Sequence, residues 1–128
     1  MRDLLFTRGK QDFCYPFRIK YMIFSDSAKG KGSDHFHYPA KCLISVSRHN
    51  FRKASGRNRI KRLTREAYRK NKKAFYAFLK QRELRCTIAL IYVAKEELDY
   101  SEIENRLGEC LKRVMLLIDR GRGPEQSI

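Results

Sequence analysis

The stretch ASGRNRIKRLTREA, residues 54–67, decides the fold prediction because it combines helical periodicity with dense positive charge on one side. At 3.6 residues per turn, one narrow apolar face is formed by Ile60, Leu63, Ala67 and Ala74. The opposite face is polar and basic, with Asn58, Lys61, Arg62, Arg65, Arg69 and Lys72. One side of the helix is therefore predicted to pack on a core, and the other to remain electropositive.

Positive charge is concentrated around this helix. Residues 48–73 contain twelve Lys or Arg residues and a single acid, Glu66. Like charges four residues apart, such as Lys61 and Arg65, each cost about 0.2–0.5 kcal/mol, so a merely solvated face would mix the two signs. The whole chain has 29 basic and 14 acidic residues, a net charge of +15, and such a field attracts polyanions. Nucleic acid is the predicted partner.

Alternating apolar residues predict two strands before this helix. Residues 13–24 place Phe17, Ile19, Tyr21 and Ile23 on one face, with Arg18 and Lys20 on the other. In the second strand, the core face consists of Cys42, Ile44 and Val46, and the outward face of Lys41, Leu43, Ser45 and Ser47. Residues 25–39, rich in Ser, Asp, Lys and Gly, are predicted to be a flexible loop.

The rest of the chain completes one domain, predicted to span residues 1–119. The basic helix is predicted to run over residues 52–81 with a break near Lys73, followed by a central strand at residues 86–93. A last helix is expected from a capping box of Ser101 and Glu104 and from the stripe Ile103, Leu107, Leu111, Val114 and Ile118. Residues 2–8 look like the end of a helix that stops at Gly9, and residues 120–128 like a disordered tail.

Several function classes find no support in the sequence. It shows no paired carboxylates, no nucleophile beside a base and no metal-binding cluster, so no catalytic or metal residue is predicted. The four cysteines are too far apart for a zinc motif and are expected to be unpaired thiols, and His35 and His37 to be surface residues. No apolar run is long enough to cross a bilayer, and we expect a cytoplasmic protein without a membrane partner.

The quoted stretch resembles the signature of the bacterial ribonuclease P protein family, in which an Arg-Asn-Arg core (Arg57 to Arg59) precedes a basic pair and a further Arg. Residues 44–48, ISVSR, are similar to that family's second strand. The resemblance implies an α/β (α+β) sandwich, in which a four-stranded sheet carries helices on one face. It also implies a left-handed βαβ crossover, as in the second domain of a small-subunit ribosomal protein, although general chirality would favour a right-handed one.

The resemblance implies a function as well. Ribonuclease P is a ribonucleoprotein endoribonuclease that removes the 5′ leader from precursor tRNA, and its RNA subunit holds the catalytic centre and the Mg2+, so the protein itself needs no cofactor. The expected partners are this RNA subunit and precursor tRNA, with no DNA. The alternative from the residues alone is a ribosomal or ribosome-assembly RNA-binding protein, and a third class is a DNA-binding architectural protein.

The implied site has two parts. The residues expected to bind RNA are Arg48, Arg52, Arg57, Asn58, Arg59, Lys61, Arg62, Arg65 and Arg69. The cleft expected to bind the leader is formed by Phe6, Lys20, Ser45 and Ser47. Compared with the family pattern, the N-terminal helix is short, and Arg2 stands where a second cleft aromatic would be expected beside Phe6.

Overall fold

The computed structural model describes residues 9–25 and 39–126 of the chain. In this part of the chain the strands are β1 (Lys10–Cys14), β2 (Phe17–Ser25), β3 (Ala40–Val46) and β4 (Leu84–Tyr92). The helices are α1 (Ala54–Gln81) and α2 (Tyr100–Gln126). The predicted helix end at residues 2–8, with Phe6, and residues 26–38 of the predicted loop lie outside the described residues. Ser25, assigned to that loop, is the last residue of β2 instead.

The four strands form one mixed sheet in the order β1-β2-β4-β3. β2 is antiparallel to both β1 and β4, whereas β3 is parallel to β4 and reaches it through α1. β4 lies in the centre as predicted, and its run from Cys86 to Leu90 is buried on both faces. Both helices pack on the same side of this sheet, in one core. The predicted α+β class, with a four-stranded sheet, is therefore confirmed.

The prediction of one strand over residues 13–24 is wrong, because the chain turns at Tyr15 and Pro16. The bond between these two residues is cis, and the carbonyl of Pro16 accepts a hydrogen bond from Val93 N at 2.9 Å. The turn makes β1 and β2 a hairpin. The sequence hides β1 because an edge strand of composition KQDFC lacks the alternation that marks a half-buried strand.

Helix α1 is continuous over 28 residues, so the predicted break near Lys73 is wrong. Ile60 and Ala67 are buried as predicted, but Ala74 is exposed. A seven-residue step falls about 20° short of two full turns. Two such steps from Ile60 therefore rotate Ala74 away from the side of the helix that faces the core. The face is completed instead by Thr64, Tyr68, Phe75 and Leu79.

Helix α2 differs from the prediction at both ends. The backbone N–H of Glu102 donates to Asp99 Oδ1 at 2.9 Å, so Asp99 caps the helix and the predicted box of Ser101 with Glu104 is wrong. The backbone stays helical to Gln126, beyond the predicted end at Asp119, because a glycine costs a helix only about 1 kcal/mol and does not by itself end it. The predicted apolar stripe is buried throughout, at Ile103, Leu107, Leu111, Val114 and Ile118.

Asn71 and Gly108 bring the two helices together. The Asn71 amide donates to the carbonyls of Ala67, at 2.9 Å, and of Glu104 on the other helix, at 3.2 Å. A Cβ at Gly108 would lie 2.9 Å from Asn71 Oδ1, so a side chain there would have to push the Asn71 amide aside. α1 is therefore held firmly on its inner side, and its outer face is turned to solvent.

Candidate nucleic-acid interface

The outer face of α1 carries most of the predicted RNA-binding residues. Asn58, Arg62 and Arg65 are exposed, and Lys61 is half-buried. A concavity of about 420 Å³ lies along this face, and its lining consists of Arg62, Arg65, Glu66, Tyr68, Arg69 and Lys72. Four cations around one carboxylate favour an anionic ligand.

Two of the predicted RNA-binding arginines have carboxylate partners. Arg69 donates to both oxygens of Glu66, at 2.6 and 3.1 Å, and this hydrogen bonding holds the pKa of Glu66 below its usual range. Arg59 Nη1 lies 3.5 Å from Oε1 of Glu97. Exposed pairs of this kind contribute little free energy, so a phosphate can replace the carboxylate at modest cost.

Arg57 lies half-buried at the start of the helix and holds the preceding loop. Its Nη1 donates to the carbonyl oxygens of Phe51 and Arg52, at 2.8 Å each. The N-cap residue, Lys53, provides no side-chain cap, so the Arg57 guanidinium fastens this junction. The predicted contacts at Arg48 and Arg52 flank the same junction, and both residues are exposed.

Arg65 also lies close to the edge of the sheet. Burial raises the pKa of the Cys42 thiol in β3 to about 12, and the positive charge of Arg65 opposes that rise. Cys42 is therefore protonated at neutral pH and a poor nucleophile. Cys14, Cys42, Cys86 and Cys110 are all free, as predicted.

The sheet face that α1 and α2 leave uncovered forms a second basic surface, here called the open face. Because directly paired residues point to the same side of a sheet, the strand register defines its members. They are Gln11, Phe13, Arg18, Lys20, Met22, Phe24, Lys41, Leu43, Ser45, Arg85, Thr87, Ala89 and Ile91. Four of them are cations and none is acidic.

Of the predicted leader-binding residues, Lys20 and Ser45 lie on the open face. Lys20 is half-buried and pairs with Ala89 of β4, whereas Ser45 is exposed and pairs with Ile91. Ser47 follows β3 and has a backbone role, since its N–H donates to the Tyr92 carbonyl at 3.2 Å. Phe6 lies outside the described residues.

The prediction of the leader site omitted three further cations on this face, namely Arg18, Lys41 and Arg85. Alternation in the strands already placed Arg18 and Lys41 on an outward face. Arg85 could not be found in this way, because β4 is a continuous apolar run without alternation.

The described residues of both surfaces offer cations and hydrogen-bond donors. Among residues 9–25 and 39–126, no three His, Cys, Asp or Glu side chains come together as a metal site. In the same ranges no helix is long and apolar enough to cross a bilayer.

Comparison with known proteins identifies the family. The family model Ribonuclease P matches residues 3–115. The chain belongs to the ribonuclease P protein family. Ribonuclease P protein components from two strains of Porphyromonas gingivalis are each 36% identical to it over 112 residues, which cover 88% of this chain and 76% of the relative.

Solved structures of ribonuclease P proteins share the fold. The protein from Thermotoga maritima aligns with a TM-score of 0.63 at 24% identity and covers 88% of this chain and 89% of that one. The protein from Staphylococcus aureus aligns with a TM-score of 0.60 at 20% identity, covering 88% and 87%. Membership of the ribonuclease P family decides against the ribosomal and architectural alternatives, which charge alone left open.

Proposed function

We propose that this chain assists the RNA subunit of ribonuclease P in removing the 5′ leader from precursor tRNA. The observation that carries the proposal is the presence of two separate basic surfaces, the outer face of α1 and the open face of the sheet. A protein that bridges two RNA molecules needs two such surfaces. It would act in the cytoplasm, where precursor tRNA of bacteria is processed.

The outer face of α1 binds the RNA subunit in this proposal. The central contacts come from Asn58, Lys61, Arg62 and Arg65. Arg59 and Arg69 join them when phosphate groups of the RNA replace their carboxylate partners. Arg48, Arg52 and Arg57 extend the surface across the junction before the helix. Guanidinium groups suit this role because their paired N–H groups match the oxygens of a phosphate.

The open face binds the single-stranded leader. Lys20 and Ser45 contact phosphate and sugar, and Phe6 is expected to stack on a base. Arg18, Lys41 and Arg85 add positive charge across the same face. Contacts of this kind are tolerant of sequence, which suits a leader that differs from one tRNA to the next.

Bond cleavage belongs to the RNA subunit. The acidic residue on the outer face of α1, Glu66, is paired with Arg69, and the open face has no carboxylate among its described residues. Surfaces of this charge repel divalent cations, so they do not fit Mg2+. We place the Mg2+ of the reaction on the RNA, and the protein lowers the concentration of it that the RNA needs.

Reconstitution tests this function. The protein is combined with a bacterial ribonuclease P RNA, and cleavage of precursor tRNA is followed at low Mg2+ concentration. We expect no cleavage by the protein alone and faster cleavage by the RNA when the protein is added. Cleavage by RNA-free protein, or no effect on the RNA at any Mg2+ concentration, would refute the proposal.

A further inference from the structure

Phe13 is an exposed phenylalanine in the edge strand β1. About half of its surface, 52%, is open to solvent. Its register partner in β2 is Arg18, so the two side chains lie side by side on the open face, with Cβ atoms about 5 Å apart. The same row continues through Ile91 of β4 to Ser45 of β3.

A single exposed apolar side chain is ordinarily unremarkable, and Leu116 provides the comparison. Leu116 is exposed to the same extent, 52%, but lies on α2, on the other side of the sheet. Its neighbours one turn away, Lys112 and Arg120 with Asp119 beside them, have mixed charges. Phe13 stands instead among described open-face residues that include four cations and no acid, and an aromatic beside cations suits single-stranded nucleic acid.

We propose that Phe13 is a base-stacking residue for the single-stranded leader and that Arg18 binds the adjoining phosphate. This proposal rests on the proposed function of the open face and extends the leader site to the edge strand. From Phe13 to Ser45 the row crosses three inter-strand gaps, a width of about 14 Å. The leader would therefore lie across all four strands, with one aromatic at the β1 edge.

The test uses the complex reconstituted with ribonuclease P RNA and compares its affinity for precursor tRNA with that for mature tRNA. Phe13→Ala should weaken precursor binding by about 5-fold to 100-fold and leave mature tRNA unaffected, because stacking is lost only where a leader is present. Phe13→Trp should retain the affinity, and Phe13→Leu should lose most of it. Leu116→Ala, which removes an equally exposed side chain, is the matched control and should change neither affinity.

The role of Arg18 is tested by salt dependence. Arg18→Gln should flatten the plot of log affinity against log salt for the precursor by roughly 0.7, the value for one phosphate on a single strand. Phe13→Ala should leave this slope unchanged, because it removes no charge. An unchanged slope in Arg18→Gln would overturn the phosphate assignment.

The outcomes separate this proposal from the function on which it rests. If the wild-type complex does not prefer precursor over mature tRNA, the leader-binding function itself fails. If it does prefer the precursor, but Phe13→Ala behaves like Leu116→Ala or weakens both RNAs equally, then the stacking role alone is refuted. A change in oligomeric state on Phe13→Ala, with affinity intact, would likewise refute it by showing that the residue contacts protein.

Discussion

Replacement of Arg62 and Arg65 by Ala tests whether the outer face of α1 binds phosphate. Both side chains are exposed and point away from the buried residues Ile60 and Ala67, so their removal should not disturb the core. Each lost phosphate contact should flatten the slope of log affinity against log salt by roughly 0.7–0.9. Raising the salt concentration from about 50 to about 200 mM should then reduce the ratio of wild-type to variant RNA affinity roughly threefold per lost contact.

The same variants should fold as stably as the wild type. Arg65 lies one turn from Lys61 and from Arg69, so its removal relieves like-charge repulsion of about 0.2–0.5 kcal/mol per pair. The melting temperature should therefore stay the same or rise slightly. Arg113→Ala is a suitable control, because Arg113 is exposed on α2 and pairs with Asp12, outside both basic surfaces. A lowered melting temperature with an unchanged salt slope would show that Arg62 and Arg65 are structural.

Three further variants probe the contacts that hold the interface in place. Arg57→Ala should lower the free energy of unfolding by about 2 kcal/mol, since it removes a charged donor from two carbonyls, whereas Asn58→Ala should stay within about 0.5 kcal/mol in the same denaturation assay. Equal stability of Arg57→Ala and Asn58→Ala would show that the Arg57 guanidinium does not fasten the loop before the helix. Glu66→Gln should strengthen RNA binding by freeing Arg69. Because the folded-state pKa of Glu66 is lowered, the stability given by this pair is present above the ordinary pKa of Glu and lost as the pH falls through the lowered value. The stability difference between Glu66→Gln and the wild type should therefore vanish in acid, and its persistence there would exclude the ion pair as its cause.

Local periodicity was enough to predict most of the secondary structure. The helical stripes containing Ile60 and Ile103, and the alternation from Phe17 to Tyr21, all correspond to buried faces. These patterns work because each is set within a single element by the geometry of its own backbone. For the same reason the outer face of α1 could be assigned before any tertiary contact was known.

Much of what local patterns could not predict depends on contacts between distant residues. β1 is a strand only because it pairs with β2 after the turn at Pro16, and its own sequence shows little preference. Arg57 has two carbonyl acceptors in the loop before the helix, which no motif indicates. The partner of Arg59 is Glu97, 38 positions away, whereas the nearer acid Glu66 pairs with Arg69.

The two basic surfaces differ in how far sequence can define them. A helical face is fixed by spacing alone, so Arg62 and Arg65 could be placed together from their positions. The residues of the open face can be assigned only when the register of three strand pairings is known. A shift of one residue would move every side chain of a strand to the other side of the sheet. Phe13 shows the consequence: its neighbour Arg18 is five positions along the chain, and only the hairpin register places both on the face that also contains Ser45. The residues proposed to bind the leader are therefore harder to find from sequence than those on the basic helix, even where the family signature is clear.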